Sequence, residues 1–331
     1  MEIIIAKNAG FCFGVDRAVK MTLEVLEKEG EQVYSYGPLI HNPQAVSELE
    51  DKGLTTLESF EKIWEGRLIF RSHGVPEAIQ GKAVEMGLSV GDCTCPYVKA
   101  VHKRVRDFSD KGYDIVIIGD SAHPEVIGIN GWCYDKAYII DSEEEARNLP
   151  QLGKVCVVSQ TTNRLEKFQL LADIVKERSS ESEIFNTICN ATRTRQDSAA
   201  ELAQRVDAMI VIGGKTSSNT TKLAEISRKY CNNVYLIETV EELALQELQN
   251  FNTIGITAGA STPDRIIKEA VKVMENYNKD EMMEAIESSF KRINRGEVLK
   301  GIVLYVTNTE VMVNINYKSD GIITRDELSK D

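Results

Sequence analysis

The chain contains seven cysteines, and their surroundings divide them into two groups. Disulfides are rare in cytosolic proteins, so a cysteine in a polar motif favours metal binding or catalysis. A free cysteine in an apolar run is usually a small buried hydrophobe. Three are therefore predicted to be core residues: Cys133, Cys156 and Cys231. The candidates for chemistry are the other four: Cys12, Cys93, Cys95 and Cys189.

Three of these candidates begin the units of a threefold internal repeat. Each cysteine leads into an amphipathic helical pattern, followed by a strand and a polar loop. The distance to the key polar residue of that loop is nearly constant, being 29 residues from Cys12 to His41, 28 from Cys95 to His123 and 28 from Cys189 to Ser217. The register of the repeat selects Cys95 over its neighbour Cys93, which stays a minor alternative.

A second strand and a second polar loop follow in each unit. These loops are Ser72-His73-Gly74, Ser159–Asn163 and Ala258–Ser261. Alternating strands and helices predict βαβ units with parallel sheets, and ligands of such sheets bind beyond the carboxyl ends of the strands. Three units would thus direct one cysteine and two polar loops each toward a common centre.

Three converging thiolates suit an iron–sulfur cluster. A cubane cluster with only three cysteine ligands leaves one iron open to substrate. Zinc is the competing metal, but structural zinc sites usually contain cysteine pairs two to four residues apart. Here Cys12, Cys95 and Cys189 are separated by 83 and 94 residues, which favours a shared central cluster.

The polar loops predict an anion site with an acid beside it. Of the four histidines, His41, His73 and His123 lie on these loops, and His102 is predicted to be structural. Histidine, serine, threonine and asparagine next to helix N-termini favour a diphosphate. Glu125 is the one carboxylate of the loops and is predicted to deliver protons, with His123 or Thr161 assisting. Its alternative role is to complement a helix dipole.

Composition excludes several other classes of protein. A net charge of −12 argues against general nucleic-acid binding. No apolar run approaches the roughly 20 residues of a membrane span, and the N-terminus is predicted to be a strand with no secretory leader, so we expect a cytoplasmic protein. Gly214-Lys215-Thr216 imitates the end of a phosphate-binding P-loop, but Met209 stands where the motif requires glycine.

These residues resemble a known family, the 4-hydroxy-3-methylbut-2-enyl diphosphate reductases, the last enzymes of the non-mevalonate isoprenoid pathway. The resemblance covers roughly residues 1–280. It is carried by Ala9–Val15, Ile40-His41-Asn42, Arg71–Val75, Asp92–Pro96, Ala122–Glu125, Ser159–Thr162, Ser217-Ser218-Asn219 and Thr257–Ser261.

The resemblance implies an α/β fold in which three similar units form a pseudo-threefold trefoil around a [4Fe–4S] cluster, followed by a short β tail. It implies Cys12, Cys95 and Cys189 as ligands, with the fourth iron open to substrate. The implied acid is Glu125, near Thr161. The implied diphosphate contacts are His41, His73, His123, Thr162, Ser217, Ser218, Asn219 and Ser261. A ferredoxin or flavodoxin would supply two electrons, and the products would be isopentenyl and dimethylallyl diphosphate.

The predicted organisation has five segments. Three α/β units span 1–95, 96–188 and 189–280, and the strand at 1–6 is expected to join the third. A helical linker spans 281–295. Residues 296–331 resemble the start of an RNA-binding OB module, but a closed five-stranded barrel needs roughly twice that length. RNA binding is therefore not expected, and a simple β-hairpin is the alternative.

Two rival functions use the same cysteines. One is a dehydratase whose cluster acts only as a Lewis acid and needs no external electrons. The other is a regulatory iron–sulfur sensor with an RNA-binding tail. The dense polar set around Glu125 and Thr161 favours an enzyme over a sensor.

Overall fold

The structure is a computed structural model that describes residues 1–28, 32–63, 65–289, 296–315 and 321–328. The chain divides into two compact units, Met1–Met274 and Glu275–Asp331. Within the described residues, no helix is both long enough and apolar enough to cross a membrane.

The strands of the larger unit, in chain order, are β1 Glu2–Ile5, β2 Val33–Tyr36, β3 Leu54–Leu57, β4 Arg67–Phe70, β5 Ser89–Asp92, β6 Asp114–Ile118, β7 Tyr138–Ile140, β8 Leu152–Ser159, β9 Ser179–Ile184, β10 Ala208–Ile212, β11 Val234–Ile237 and β12 Thr253–Ala258.

The helices are α1 Phe13–Leu26, α2 Pro43–Glu50, α3 Glu77–Glu85, α4 Pro96–Asp110, α5 Pro124–Gly131, α6 Glu143–Arg147, α7 Leu165–Glu177, α8 Asn190–Ala203, α9 Ser218–Arg228, α10 Leu245–Leu248 and α11 Asp264–Ser289. Short 3₁₀ turns span Phe60–Lys62, Val240–Glu242 and Arg325–Glu327.

The twelve strands form three parallel sheets of the same topology. Their orders are β3-β2-β4-β5, β7-β6-β8-β9 and β11-β10-β12-β1. In the third sheet β1 takes the edge position that β5 and β9 hold in the others, pairing with β12 from Glu2 opposite Thr253 onward. The equal orders confirm the prediction of three similar α/β units.

Each sheet is covered on both faces, which is why its central strands are almost wholly apolar. Strand β6 shows the arrangement, since alternate side chains point to opposite faces of a sheet. Ile115 and Ile117 pack against α4 and α5, whereas Val116 and Ile118 pack against α7. Cys133 and Cys156 lie fully buried in the first of these cores, as predicted, and Cys231 is buried in the third unit.

The helices that follow the central strands begin at polar side chains. Asn42 caps α2, accepting the backbone N–H of Ala45 at 2.8 Å. His123 caps α5 and Ser217 caps α9 in the same position of their units. Asparagine and serine are preferred at N-caps because their side chains accept otherwise unpaired N–H groups. Each unit therefore places a helix N-terminus at the carboxyl end of its sheet.

The second compact unit, Glu275–Asp331, contains an antiparallel sheet. Its strands are β13 Ile302–Val306, β14 Glu310–Asn314 and β15 Gly321–Thr324, with β14 in the centre. The relation of this sheet to an OB module stays a prediction. The predicted linker 281–295 falls on the last turns of α11 as far as Ser289, and 290–295 lie outside the described residues.

Replacing Ile118 with alanine tests whether the core around β6 stabilises the second α/β unit. Ile118 is fully buried at the end of β6. We expect Ile118→Ala to lower the free energy of unfolding by about 2–5 kcal/mol, because the cavity left behind cannot collapse fully. Urea unfolding measures the loss. Ile127→Ala is the matched control, because Ile127 is 43% exposed; an equal loss in both variants contradicts the assignment.

Candidate active site

A cavity lies where the three α/β units meet. It brings together every site residue predicted from the sequence. These are Cys12, His41, His73, Cys95, His123, Glu125, Thr161, Thr162, Cys189, Ser217, Ser218, Asn219 and Ser261.

The three cysteines are the N-cap residues of α1, α4 and α8. A helix N-terminus favours a thiolate through its dipole and free N–H groups. The Thr192 N–H, for example, donates to Cys189 Sγ at 3.3 Å. Burial nevertheless raises the pKa of Cys95 to about 11, and the neighbouring Cys12 and Cys189 add to the rise. A metal that binds these thiols must therefore displace their protons.

Gly14 lets helix α1 pack closely against Cys95. A Cβ at this position would lie 2.6 Å from Cys95 Sγ, closer than side-chain atoms can approach, so the position requires glycine. Among the described residues, no three His, Cys, Asp or Glu side chains lie close enough to hold one metal ion. Cys93 is buried beside Thr22, outside the cavity lining.

Three histidines, two from the first α/β unit and one from the second, form a compact group in the cavity lining. The ring centroid of His41 lies 4.2 Å from that of His73 and 5.0 Å from that of His123. Burial lowers the pKa of all three, that of His123 to about 3, and their mutual repulsion and Arg71 contribute. His123 Nδ1 accepts the backbone N–H of Glu125 at 3.1 Å, so its ring proton lies on Nε2.

Several buried polar atoms of the cavity lining have no partner in the described residues. They are His41 Nε2, His73 Nδ1, and both Nδ2 and Oδ1 of Asn219. A buried polar group without a hydrogen bond costs free energy, so folded proteins rarely leave one unpaired unless a ligand or ordered water completes it. Their clustering in one cavity indicates a polar ligand.

Glu125 is held by Thr161 through two hydrogen bonds. The Thr161 N–H donates to Oε1 at 2.6 Å and the Thr161 hydroxyl to Oε2 at 2.8 Å. Glu125 is only 2% exposed, and this burial raises the pKa of its carboxyl despite the two bonds. The Thr161 carbonyl also accepts the Cys189 N–H at 3.1 Å, which links the acid to the third cysteine.

Several serine and threonine hydroxyl groups also line the cavity. Ser218 Oγ accepts from Thr162 at 3.2 Å and from Gln160 Nε2 at 3.3 Å. Ser261 donates its hydroxyl to the His41 carbonyl at 2.8 Å and thereby fixes the loop that carries His41. Ser217 accepts the Thr220 N–H at 3.4 Å as the cap of α9, which leaves its own proton available for a ligand.

The sequence analysis missed three cations around this cavity. Arg71, Arg195 and Lys222 form no ion pair with a carboxylate of the described residues. Burial lowers the pKa of all three, that of Lys222 to about 8. Of the three, only Arg195 lines the cavity and is fully buried, whereas Arg71 and Lys222 are half-buried outside the lining. A buried cation without an ion pair is costly, so the position of Arg195 indicates that its counter-charge belongs to a ligand.

Arg195 connects two of the cysteine segments. It is 4% exposed, and its guanidinium donates to the Gly10 carbonyl at 2.8 Å and to the Ala191 carbonyl at 3.0 Å. The signal in the sequence was its spacing, because Thr192, Arg195 and Ala199 follow each other at three and four residues on one helix face. An arginine on the buried face of a helix needs a partner or a function.

The fold and the cavity together define an α/β enzyme that binds an anion beside three thiols. The family model of the LytB protein matches residues 3–275. The chain belongs to the LytB family and is a reductase.

Relatives of the chain extend over most or all of its length. It is similar to the 4-hydroxy-3-methylbut-2-enyl diphosphate reductase of Caldanaerobacter subterraneus subsp. tengcongensis, with 50% identity over 276 residues, covering 82% of this chain and 96% of that protein. The protein of the same name from Clostridium acetobutylicum is 44% identical over 342 residues, covering all of this chain. This chain spans 53% of that longer relative.

Two solved structures share the fold. One is an (E)-4-hydroxy-3-methyl-but-2-enyl diphosphate reductase, the terminal enzyme of the non-mevalonate pathway, with a TM-score of 0.64 and 42% identity over 83% of this chain and 100% of that one. The other is the E-1-hydroxy-2-methyl-but-2-enyl-4-diphosphate reductase of Plasmodium falciparum, with a TM-score of 0.78 and 30% identity over 82% and 87%.

The burial of Glu125 has a consequence for stability. Because its pKa is raised in the folded chain, the folded state keeps a proton that the unfolded state has already released above about pH 4.3. The parent chain therefore loses stability as pH rises toward the raised pKa, whereas Glu125→Gln has no such loss. We expect the stability of the variant relative to the parent to increase as pH rises above about 4.3 toward the raised pKa of Glu125.

Thermal unfolding at several pH values measures this difference. Glu144→Gln is the control, because Glu144 is exposed at the start of α6. A stability difference for Glu125→Gln that stays constant with pH contradicts the buried, proton-retaining carboxyl.

Proposed function

We propose that this chain reduces 4-hydroxy-3-methylbut-2-enyl diphosphate to isopentenyl diphosphate and dimethylallyl diphosphate at a [4Fe–4S] cluster held by Cys12, Cys95 and Cys189. One observation carries the proposal. A single cavity brings together three thiols, a carboxyl with a raised pKa and several buried polar side-chain atoms that have no hydrogen-bond partner in the described residues. The names of the relatives supply the substrate.

The thiols suit the cluster because each comes from a different unit and caps a helix. When bound, the cluster would relay electrons from an external carrier and would offer an open iron to the substrate hydroxyl. Arg195 supports two of the three ligands, since its charge acts on Cys12 and Cys189. A buried cation beside thiolates offsets part of the negative charge that ligation concentrates there.

The diphosphate is assigned to the polar side of the cavity. The proposed contacts are His41, His73, His123, Thr162, Ser217, Ser218, Asn219 and Ser261. The histidines are neutral in the empty cavity, because burial lowers the pKa of each. A bound anion favours the imidazolium form, so binding draws protons onto these rings and strengthens their hydrogen bonds.

Glu125 is the proposed acid. Its carboxyl is enclosed, retains a proton above the ordinary pKa, and reaches the cavity with Thr161 as its partner. Removal of the hydroxyl consumes two electrons and two protons and yields water, so the site needs an acid next to the leaving oxygen. The Thr161 hydroxyl bonds to Glu125 Oε2. In the proposed relay this hydroxyl would give its own proton to the leaving oxygen while it takes the carboxyl proton of Glu125.

The electrons must come from outside the chain. We assign the role to a one-electron carrier of the ferredoxin or flavodoxin class, as the resemblance implies. A dehydratase would use the same thiols but would consume substrate without reductant, and a sensor would consume none. Reductant dependence therefore separates the proposed reaction from both rivals.

Anaerobic oxidation of a reduced dye by the cluster-loaded protein tests the proposal. We expect oxidation to require the substrate and to fall about a hundredfold to ten-thousandfold in Glu125→Gln, because a positioned general acid contributes that much. Absence of oxidation by a protein with a full cluster, or substrate loss without reductant, rejects the reductase.

The ligand assignment has its own test. Serine in place of Cys12, Cys95 or Cys189 should lower the iron and sulfide content of the purified protein, because each thiol holds a different part of the cluster. Cys231→Ser is the matched control, since Cys231 is buried in the third unit away from the cavity. A variant of the three that keeps its full iron content removes that residue from the ligand set.

A further inference from the structure

Helix α9 carries a lysine on the face that borders the cavity. Lys222 is half-buried, and its Nζ donates to Ser218 Oγ at 2.9 Å, one turn earlier on the helix. Residues four apart lie on one face of a helix, so Lys222 stands directly behind the hydroxyl of Ser218. Ser218 lines both the main cavity and a second, polar cavity, whereas Lys222 lines only the second.

The carboxylates of the second cavity are already engaged. Asp141 pairs with Lys167 at 2.6 Å, and Glu225 pairs with Arg164 at 3.5 Å. Asp120 also lines this cavity, and its Oδ1 accepts the Ala122 N–H at 2.9 Å.

Lys222 therefore lacks a counter-ion within ion-pair distance in the described part of the chain. Asp141, Glu225 and Glu125 act on its charge from further away, and Lys167 opposes them. A desolvated ammonium without an ion pair is unfavourable in the free protein. An anion in the main cavity would supply the missing negative charge.

The hydrogen bonds of Ser218 show how that charge reaches the ligand. Its Oγ lies within hydrogen-bond distance of donors on Lys222, Gln160 and Thr162. A hydroxyl oxygen has two lone pairs, and the ammonium of Lys222 and the amide of Gln160 can donate only to them. When both donate, the hydrogen of Ser218 is left for the Thr162 hydroxyl or for a ligand in the main cavity. The ammonium polarises this hydroxyl, and a hydroxyl polarised by a cation is a stronger donor.

We propose that Lys222 is a positioning residue of the anion site, which orients the Ser218 hydroxyl toward the bound diphosphate and supplies the charge that balances it. This inference rests on the proposed diphosphate site. It adds a residue that does not line the main cavity and reaches the ligand through Ser218.

The same charge affects the proposed acid. Lys222 lowers the pKa of Glu125 and of His123, although burial dominates both groups. Removing Lys222 therefore raises the pKa of Glu125, and the carboxyl keeps its proton to higher pH. A lysine with only a structural role would leave this pKa unchanged.

Calorimetric binding of inorganic pyrophosphate to the full chain is the first test. We expect Lys222→Met to weaken binding about tenfold to a hundredfold, as expected for loss of a charge-assisted hydrogen bond. Lys222→Arg keeps the charge and should restore most of the affinity. Lys229→Met is the matched control, because Lys229 lies exposed at the end of the same helix and pairs with Glu166 at 3.2 Å.

Ser218→Ala separates this role from a general loss of stability. If Lys222 acts through Ser218, the loss in the Lys222→Met/Ser218→Ala double variant should be smaller than the two single losses combined. In substrate turnover we expect Lys222→Met to raise KM more than it lowers kcat, and to move the alkaline limb of the pH profile to higher pH.

The outcomes are distinguishable. A parent chain that does not bind pyrophosphate overturns the proposed diphosphate site itself. A parent chain that binds it, together with a Lys222→Met variant of equal affinity and an unshifted pH profile, overturns the role of Lys222 and leaves the proposed function standing. Additive losses in the double variant likewise reject the action through Ser218.

Discussion

The structure depends on holding a positive centre inside an acidic chain. The net charge is −12, yet the cavity is bordered by the N-termini of five helices, capped by Cys12, Cys95, His123, Cys189 and Ser217. Each N-terminus contributes unpaired N–H groups and the positive end of a dipole. Three cations without ion pairs in the described chain add to this field. An anion is therefore attracted by the local arrangement, against the field of the whole protein.

Such a centre is unfavourable when it is empty. Burial lowers the pKa of the three histidines and raises that of Glu125 and Cys95, so each group keeps its neutral form. The free energy of folding that offsets this cost comes from the hydrophobic cores on both faces of the three sheets. A buried site whose donors are already held in position gives its hydrogen bonds to a ligand with little reorganisation, which is the physical basis of strong electrostatic stabilisation.

The three units share a topology but contribute different chemistry. The first brings two histidines, the second brings the acid Glu125 with His123 as its helix cap, and the third brings the hydroxyls and amide of Ser217 to Asn219. Parallel strands place all these loops at one end of each sheet. Because β1 completes the third sheet, the segment that leads to Cys12 is held by β12. Loops of different sequence can therefore contribute different side chains to one cavity while the three sheets keep the same topology.

By itself the sequence determined the repeat, the strand ends and the polar residues that follow them, because periodicity and helix caps are local properties. It therefore predicted the three α/β units and every candidate that lines the cavity. Only the tertiary structure decided the roles open to Arg195 and Lys222, since a cation is unusual only once its burial and missing counter-ion are known. It also decided the pairing of Glu125 with Thr161, 36 residues away. Hydrogen bonds between loops that are distant in the chain depend on packing, and no local pattern in the chain encodes them.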